Sequence, residues 1–490
     1  MHRRDFFRNA AVGAAACSMA GQRALAVGTQ KNVLMLCVDD LRPVMGCYGG
    51  KAISPNMDSF GKTGTLFTNH YVQWPVCGAS RASLLGGRRP DTSGIYDNGK
   101  AWQVADWQDT CPTMPLHYRN AGYTAEGYGK IYHGKGASPG CGWSQTPWQP
   151  PCGWTCYVDW PGARNGTANK QGVKSYRPVY EIYDGPDSRH GDCQTADQVM
   201  DALERNRDGR FFIGGGFYKP HLPFVAPKRY WDLYDHDAID LLDNPGLPDG
   251  AADYMYNWSE IHSYGMDGRN NFSHENRPTE DQARTMIHAY YACVSHTDAQ
   301  IGRILAKLDE LGLADSTAVV IWGDHGFHLG DKQRWAKHTQ FEDAMRSPLM
   351  VRMPGSQGPT GTCKALVETI DIYPSLCDWT GVDAPEHLDG KSFVPVVEGH
   401  DREGKPAAYS QIHPVGGANG HLMAYSVRTS NFRYVEWRNP KKGYELVWME
   451  LYDHRTDPGE TRSVVDEPRY ATVAADHAEL VQNGYSSLQR

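Results

Sequence analysis

The sequence predicts an α/β chain, with a mostly parallel sheet flanked by helices and a smaller C-terminal antiparallel sheet carrying one helix. Three observations predict it. Short apolar runs end in acids or glycines, as in "NVLMLCVDD" (Asn32 to Asp40), "RFFIGGG" (Arg210 to Gly216) and "STAVVIWGDHG" (Ser316 to Gly326). Such runs read as strands buried on both faces. Longer helical patterns lie between them, which is the alternation of a helix-covered parallel sheet. Beyond "LDGKSFVPVVEGHDREGKP" the texture becomes period-two with turn residues between the runs.

Taken in order, residues 1–26 read as a twin-arginine export signal. They hold Arg3 and Arg4, the aromatics Phe6 and Phe7, a small-residue apolar run and an Ala24-Leu25-Ala26 cleavage site. The expected location is therefore periplasmic or secreted, with a lipid anchor at Cys17 as the second choice. The run is too short and too rich in Ala and Gly for a stable membrane span, and no other run approaches that length.

Residues 27–400 form the predicted main domain. Thr279 with Gln282 resembles a capping box, and apolar positions then recur through Met286, Ile301, Ile304 and Leu308 to a stop at Gly312. "TIDIYPSLCDW" reads as a shorter helix. Residues 401–490 are predicted to be an α+β subdomain: "AAYSQIHP", "MAYSVRTSNFRYVEW" and "YELVWMELYDHRTDPGE" alternate, and "ATVAADHAELVQNGY" closes the chain as a helix. The net charge of −8 argues against a nucleic-acid surface, so an anionic substrate must be held by local cations. Twelve cysteines suit an oxidising compartment. Cys141, Cys152, Cys156 and Cys193 cluster in a Gly/Pro-rich stretch where pairing is expected, with the connectivity open.

Two constellations carry chemistry. Asp39, Asp40 and Asp324 end strands, and ligands bind beyond the carboxyl ends of strands in sheets of this kind. Carboxylates meeting there repel unless a divalent cation joins them, and oxygen ligands suit Ca²⁺ or Mg²⁺. Helix capping is the competing use of the same acids. The other is "PVCGASRASLLGGRRP" (Pro75 to Pro90), where one cysteine stands among arginines at a helix start. A cysteine phosphatase needs Arg where Ser83 stands, and a papain-like pair needs a histidine near Cys77.

Cys77-Gly78-Ala79-Ser80-Arg81, followed by Leu85-Gly86-Gly87-Arg88, resembles the signature of type I sulfatases, with Ala79 where Pro is commoner and Gly86 where Thr is. "RRPDTSGIYD", "GKIYHG", "GFYKPHLPF" and "GDHGFHLGDKQRWAKHTQFE" are similar to motifs of the iduronate-2-sulfatase branch. This resemblance implies an alkaline-phosphatase-like fold, oxidation of Cys77 to formylglycine by a formylglycine-generating enzyme, and a Ca²⁺ held by Asp39, Asp40, residue 77, Asp324 and His325. His325 departs from the Asn common elsewhere in the family and matches this branch. The resemblance further implies that Arg81, Lys130 and Lys337 neutralise the sulfate and the hydrated aldehyde. His133 would take a proton from that diol as sulfate is expelled, and His221 would protonate the departing sugar oxygen. The implied substrate is a sulfated oligosaccharide, attacked from its end at a 2-O-sulfated uronic acid or a similar sugar. Two rival readings are a phosphonate or phosphodiester hydrolase of the same superfamily and a non-catalytic sulfated-glycan binding protein.

Overall fold

A computed structural model describes residues 31–489 apart from 101–110, 135–140, 160–176, 242–245, 256–259, 267–268, 271, 274 and 415–420. The leader at 1–26 and Cys17 lie outside the described residues.

Seven strands build the central sheet: Asn32–Val38 (β1), Thr65–Tyr71 (β2), Thr124–Gly129 (β3), Phe211–Phe217 (β4), Thr317–Gly323 (β5), Leu349–Arg352 (β6) and Gly361–Glu368 (β7). Their spatial order is β7-β2-β6-β5-β1-β4-β3. Only β6 runs antiparallel to its neighbours; every other pairing is parallel. After Asn32 the β1 run is apolar at every position because it is buried on both sides. Val33, Met35 and Cys37 enter one core, while Leu34, Leu36 and Val38 enter the other.

The first core is roofed by the helices Cys77–Gly86 (α2), Met114–Asn120 (α3) and Ile372–Thr380 (α6). Pro55–Thr63 (α1), Gly191–Asn206 (α4) and Glu280–Glu310 (α5) cover the second. Helix α5 starts with the expected capping box, in which the Thr279 side chain accepts from the Gln282 N–H and Gln282 reaches back to the Thr279 N–H.

Near the C-terminus, Ala408–Ile412 (β8), Met423–Arg428 (β9), Phe432–Asn439 (β10) and Glu445–Asp453 (β11) form an antiparallel meander. The helix Ala471–Gly484 (α7) packs on one face through Val481, against Val427, Tyr434 and Leu451. The other face, through Ala424, Val435 and Trp437, joins the first core. Glu342 ties the two sheets together: its carboxylate accepts from Tyr71 Oη of β2 at 2.8 Å and from Arg428 and Arg433 of the meander. Among the described residues no helix is long and apolar enough to cross a membrane.

Candidate active site

β5, β1, β4 and β3 are neighbours, and the polar residues just past their carboxyl ends meet at one edge. β1 delivers Asp39 and Asp40, β5 delivers Asp324 and His325, β4 leads to His221, and β3 leads to Lys130 and His133. Neither pair enters a helix: a turn follows β1 and a bend follows β5. Asp40 has φ +57°, a left-handed conformation unusual outside glycine, which lets two consecutive carboxylates face one point. The glycines of β4 are a packing device: a Cβ on Gly216 would stand 2.1 Å from the Lys130 carbonyl oxygen, so only glycine lets the end of β3 lie this close.

Cys77 begins α2, a helix buried along its whole length, so its sulfur sits at the positive end of the helix dipole. Lys337 Nζ lies 3.3 Å from Cys77 Sγ and 2.6 Å from Asp40 Oδ1. It arrives from a tight hairpin whose residues on either side, Ala336 and His338, both have φ +71°. His325 Nε2 is 3.3 Å from the same sulfur, and His133 hydrogen-bonds it as well. Arg81, a turn further along α2, donates from Nε to Asp324 Oδ2 at 2.9 Å and from Nη2 to Asp39 Oδ1 at 3.2 Å. Its remaining N–H group is taken by the carbonyls of Lys130 and Ile131. Lys130 Nζ pairs with Asp39 Oδ2. All of these side chains except His133 are buried.

The electrostatics follow from that packing. Burial pushes the Cys77 thiol up, but Lys130, Lys337 and His325 outweigh it and hold the thiol well below its usual range. Burial also opposes ionisation of Asp39, yet Lys130, His221 and Arg81 hold its carboxyl low. Asp40 and Asp324 are different. Burial pushes Asp40 up to about 6, and burial together with Asp39 pushes Asp324 up to about 8. Burial is the first cause of both shifts, so a further positive charge beside these two carboxyls would favour their ionised forms.

Ligand atoms of Asp39, Asp40, Cys77 and His325 lie within 4.8 Å of one another, and Asp40 Oδ2 is buried with no hydrogen-bond partner. Clustered buried carboxylates with one orphaned oxygen fit a hard divalent cation. Asp324 stands beside this group: Oδ1 accepts the Asp40 N–H at 2.9 Å and lies 3.5 Å from His325 Nε2, while Oδ2 is occupied by Arg81.

His221 is aimed by a residue that the sequence reading missed. Glu260 Oε1 lies 3.1 Å from His221 Nε2, and its Oε2 lies 3.2 Å from Lys337 Nζ. Burial alone would lower His221, but Asp40 and Asp39 push the imidazole up to about 10. No motif marks Glu260, which sits in an irregular stretch of the chain. Beside this centre opens a cavity of about 570 Å³, whose walls include Lys130, His133, Trp154, Arg177, His221 and Tyr264.

Every site residue expected from the sequence therefore lies at this edge. The expected cysteine pairing does not appear, since all cysteines among the described residues are free.

Comparison with known proteins agrees with the geometry. The sulfatase family model matches residues 31–382, and the model of the N-sulphoglucosamine sulphohydrolase C-terminal region matches 323–484. The chain is 30% identical over 478 residues to iduronate 2-sulfatase of Homo sapiens, covering 83% of this chain and 84% of that protein. It is 29% identical over 456 residues to a choline-sulfatase of Rhizobium meliloti, covering 89% and 83%. The phosphonate monoester hydrolase of Silicibacter pomeroyi superposes with a TM-score of 0.74 at 23% identity, over 93% of this chain and 95% of that one, a likeness of alkaline-phosphatase-like fold. A matched family model spanning most of the chain, together with a relative of this identity and coverage, shows that the chain belongs to the sulfatase family, as a sulfuric ester hydrolase of the iduronate-2-sulfatase branch.

Proposed function

We propose that this chain is a formylglycine-dependent sulfatase that removes an O-sulfate from the end of a sulfated oligosaccharide, with a 2-O-sulfated uronic acid or similar sugar as substrate. The observation that carries the reading is the convergence of Lys130, Lys337, His325 and His133 on Cys77 at the rim of an aromatic-walled cavity.

Cys77 Sγ stands in for the oxygens of a hydrated aldehyde, and formylglycine at this position supplies the oxygen nucleophile that a thiol lacks. Asp39, Asp40, residue 77 and His325, with Asp324 beside them, would hold a Ca²⁺, which would supply Lewis-acid polarisation of the oxygens bound there. Lys130 and Lys337 present ammonium groups to the sulfate oxygens. Arg81 locks Asp39 and Asp324, so the cation cage is organised before substrate arrives. Glu260 holds His221, which gives its proton to the sugar oxygen as the S–O bond breaks. His133, hydrogen-bonded to position 77, is placed to take a proton there when sulfate leaves.

The cations on the cavity wall favour an anionic sugar over a cationic choline ester. Maturation requires a formylglycine-generating enzyme, and the leader directs export to the periplasm or beyond. A panel of matured protein against a 2-O-sulfated uronate disaccharide, choline sulfate, an aryl sulfate and an aryl phosphonate tests this. The disaccharide is expected to give the highest kcat/KM. A preference for the phosphonate, or tight glycan binding without turnover, contradicts it.

A further inference from the structure

Cys152 and Cys156 flank the 3₁₀ turn Gly153–Thr155, one at each cap. Both sulfurs sit 3.4 Å from the same carbonyl oxygen, that of Gly153, and 2.5 and 3.3 Å from where a Cβ on Gly191 would stand. The turn bends back through two left-handed residues, Gly153 at φ +66° and Cys156 at φ +54°. Between the cysteines is Trp154, 39% exposed on the cavity wall. Its indole meets the His221 imidazole edge-on at 5.7 Å and carries the Arg177 guanidinium over its ring at 5.1 Å. The indole N–H makes no hydrogen bond to a described residue, so these two ring contacts and the turn together set its position.

We propose that Cys152 and Cys156, free thiols in this structure, form a disulfide on oxidation that closes this turn and fixes Trp154 as a substrate-positioning wall beside His221. The role given to Trp154 rests on the carbohydrate reading above; the bond itself does not. Cys152, the less buried thiol, attacks the disulfide of an oxidised dithiol protein or of oxidised glutathione and releases one thiol of the oxidant. Cys156 then attacks Cys152 Sγ and releases the second. The two protein thiols lose two electrons and two protons, one S–S bond forms, and the oxidant's disulfide is reduced to two thiols.

Cys156, His190 and Asp192 also place ligand atoms within 4.8 Å of one another, which raises a metal as the competing occupant. His190 Nε2 is buried without a hydrogen-bond partner, but the bonding of Asp192 and the neighbouring charge disfavour a metal. Asp192 already accepts the N–H groups of Tyr218 at 2.9 Å and Lys219 at 2.8 Å, and His190 Nδ1 accepts the Asp192 N–H at 3.1 Å. The buried Lys219 adds positive charge close to both thiols.

The test has two arms. Full-length protein equilibrated with oxidised glutathione is denatured, treated with iodoacetamide without reductant, and digested. The peptide holding both cysteines is expected unalkylated and about 2 mass units lighter than its reduced form, with alkylation of both only after reduction. Alkylation of both without reductant overturns the bond, as does one equivalent of zinc that protects the thiols until chelated. In the second arm, the double variant C152S/C156S and Trp154→Ala are each expected to raise KM for the sulfated disaccharide about fivefold. Their kcat is expected to stay within about twofold, with Trp154→Phe restoring KM. An unchanged KM overturns the positioning role even if the bond is present. If the wild type turns over the aryl sulfate but not the disaccharide, the sugar reading fails, and the mass result still decides the disulfide.

Discussion

Lys337 offers the sharpest perturbation. Its ammonium stands 2.6 Å from Asp40, 3.2 Å from Glu260 and 3.3 Å from Cys77 Sγ, where a sulfate oxygen and the nucleophile would compete for it. The residue is buried, so water cannot replace the lost charge. Removing one preorganised donor from a developing charge costs about 3 kcal/mol, near the low end of measured oxyanion-site effects. Lys337→Met, which keeps the bulk of the side chain, is therefore expected to lower kcat/KM roughly 150-fold. Because the donor matters most as charge gathers on the departing sulfate, kcat should carry most of the loss. The assay is release of p-nitrophenol from its sulfate, with maturation at position 77 confirmed by mass so that lost activity cannot reflect an unprocessed cysteine. A matured Lys337→Met protein within threefold of wild type would refute the reasoning.

Other expectations follow from the same structure. Dialysis against EGTA should abolish turnover and added Ca²⁺ should restore it; full activity in calcium-free protein contradicts the metal assignment. Burial pushes His70 and His296 down to about 4, so the unfolded chain binds their protons first as the pH falls below about 6.5. Their stabilisation is complete above that pH and is lost between about 6.5 and 4, at up to roughly 1.4 kcal/mol per pH unit for each histidine. Urea midpoints across this window should fall, and His70→Gln should flatten the slope by about one proton; an unaltered slope contradicts the assignment. Glu342→Gln removes one of the two carboxylates paired with the buried Arg433, leaving Glu460, and should cost about 2 kcal/mol in urea unfolding. An unchanged midpoint would mean that this contact between the two sheets is incidental.

The sequence disclosed those elements whose burial is one-sided in kind. Beyond their first residues, Asn32 and Thr317, β1 and β5 are apolar because helices cover both faces of the sheet, and α5 announced itself through Thr279 and Gln282. β6 was not legible as an antiparallel strand, because a run of four residues, three of them buried, carries no sign of direction. β3 was missed because it is an edge strand with Glu126 and two glycines, and Gly127 owes its place to the Trp143 ring, 2.7 Å from where a Cβ would stand. In the site, Cys77, Arg81, Lys130 and Lys337 were readable through motifs. Their convergence was not, since it depends on β5, β1, β4 and β3 being neighbours. Glu260 had no signal, because an acid in an irregular segment looks like any solvated carboxylate until the fold sets it against His221 and Lys337.

The central claim is that position 77 carries the nucleophile in an oxidised form. Its most direct test is the mass of the tryptic peptide containing residue 77, from protein produced with a formylglycine-generating enzyme. The account predicts a peptide about 18 mass units lighter than the cysteine form, as expected when the thiol carbon becomes an aldehyde. An intact thiol in fully active protein would contradict it.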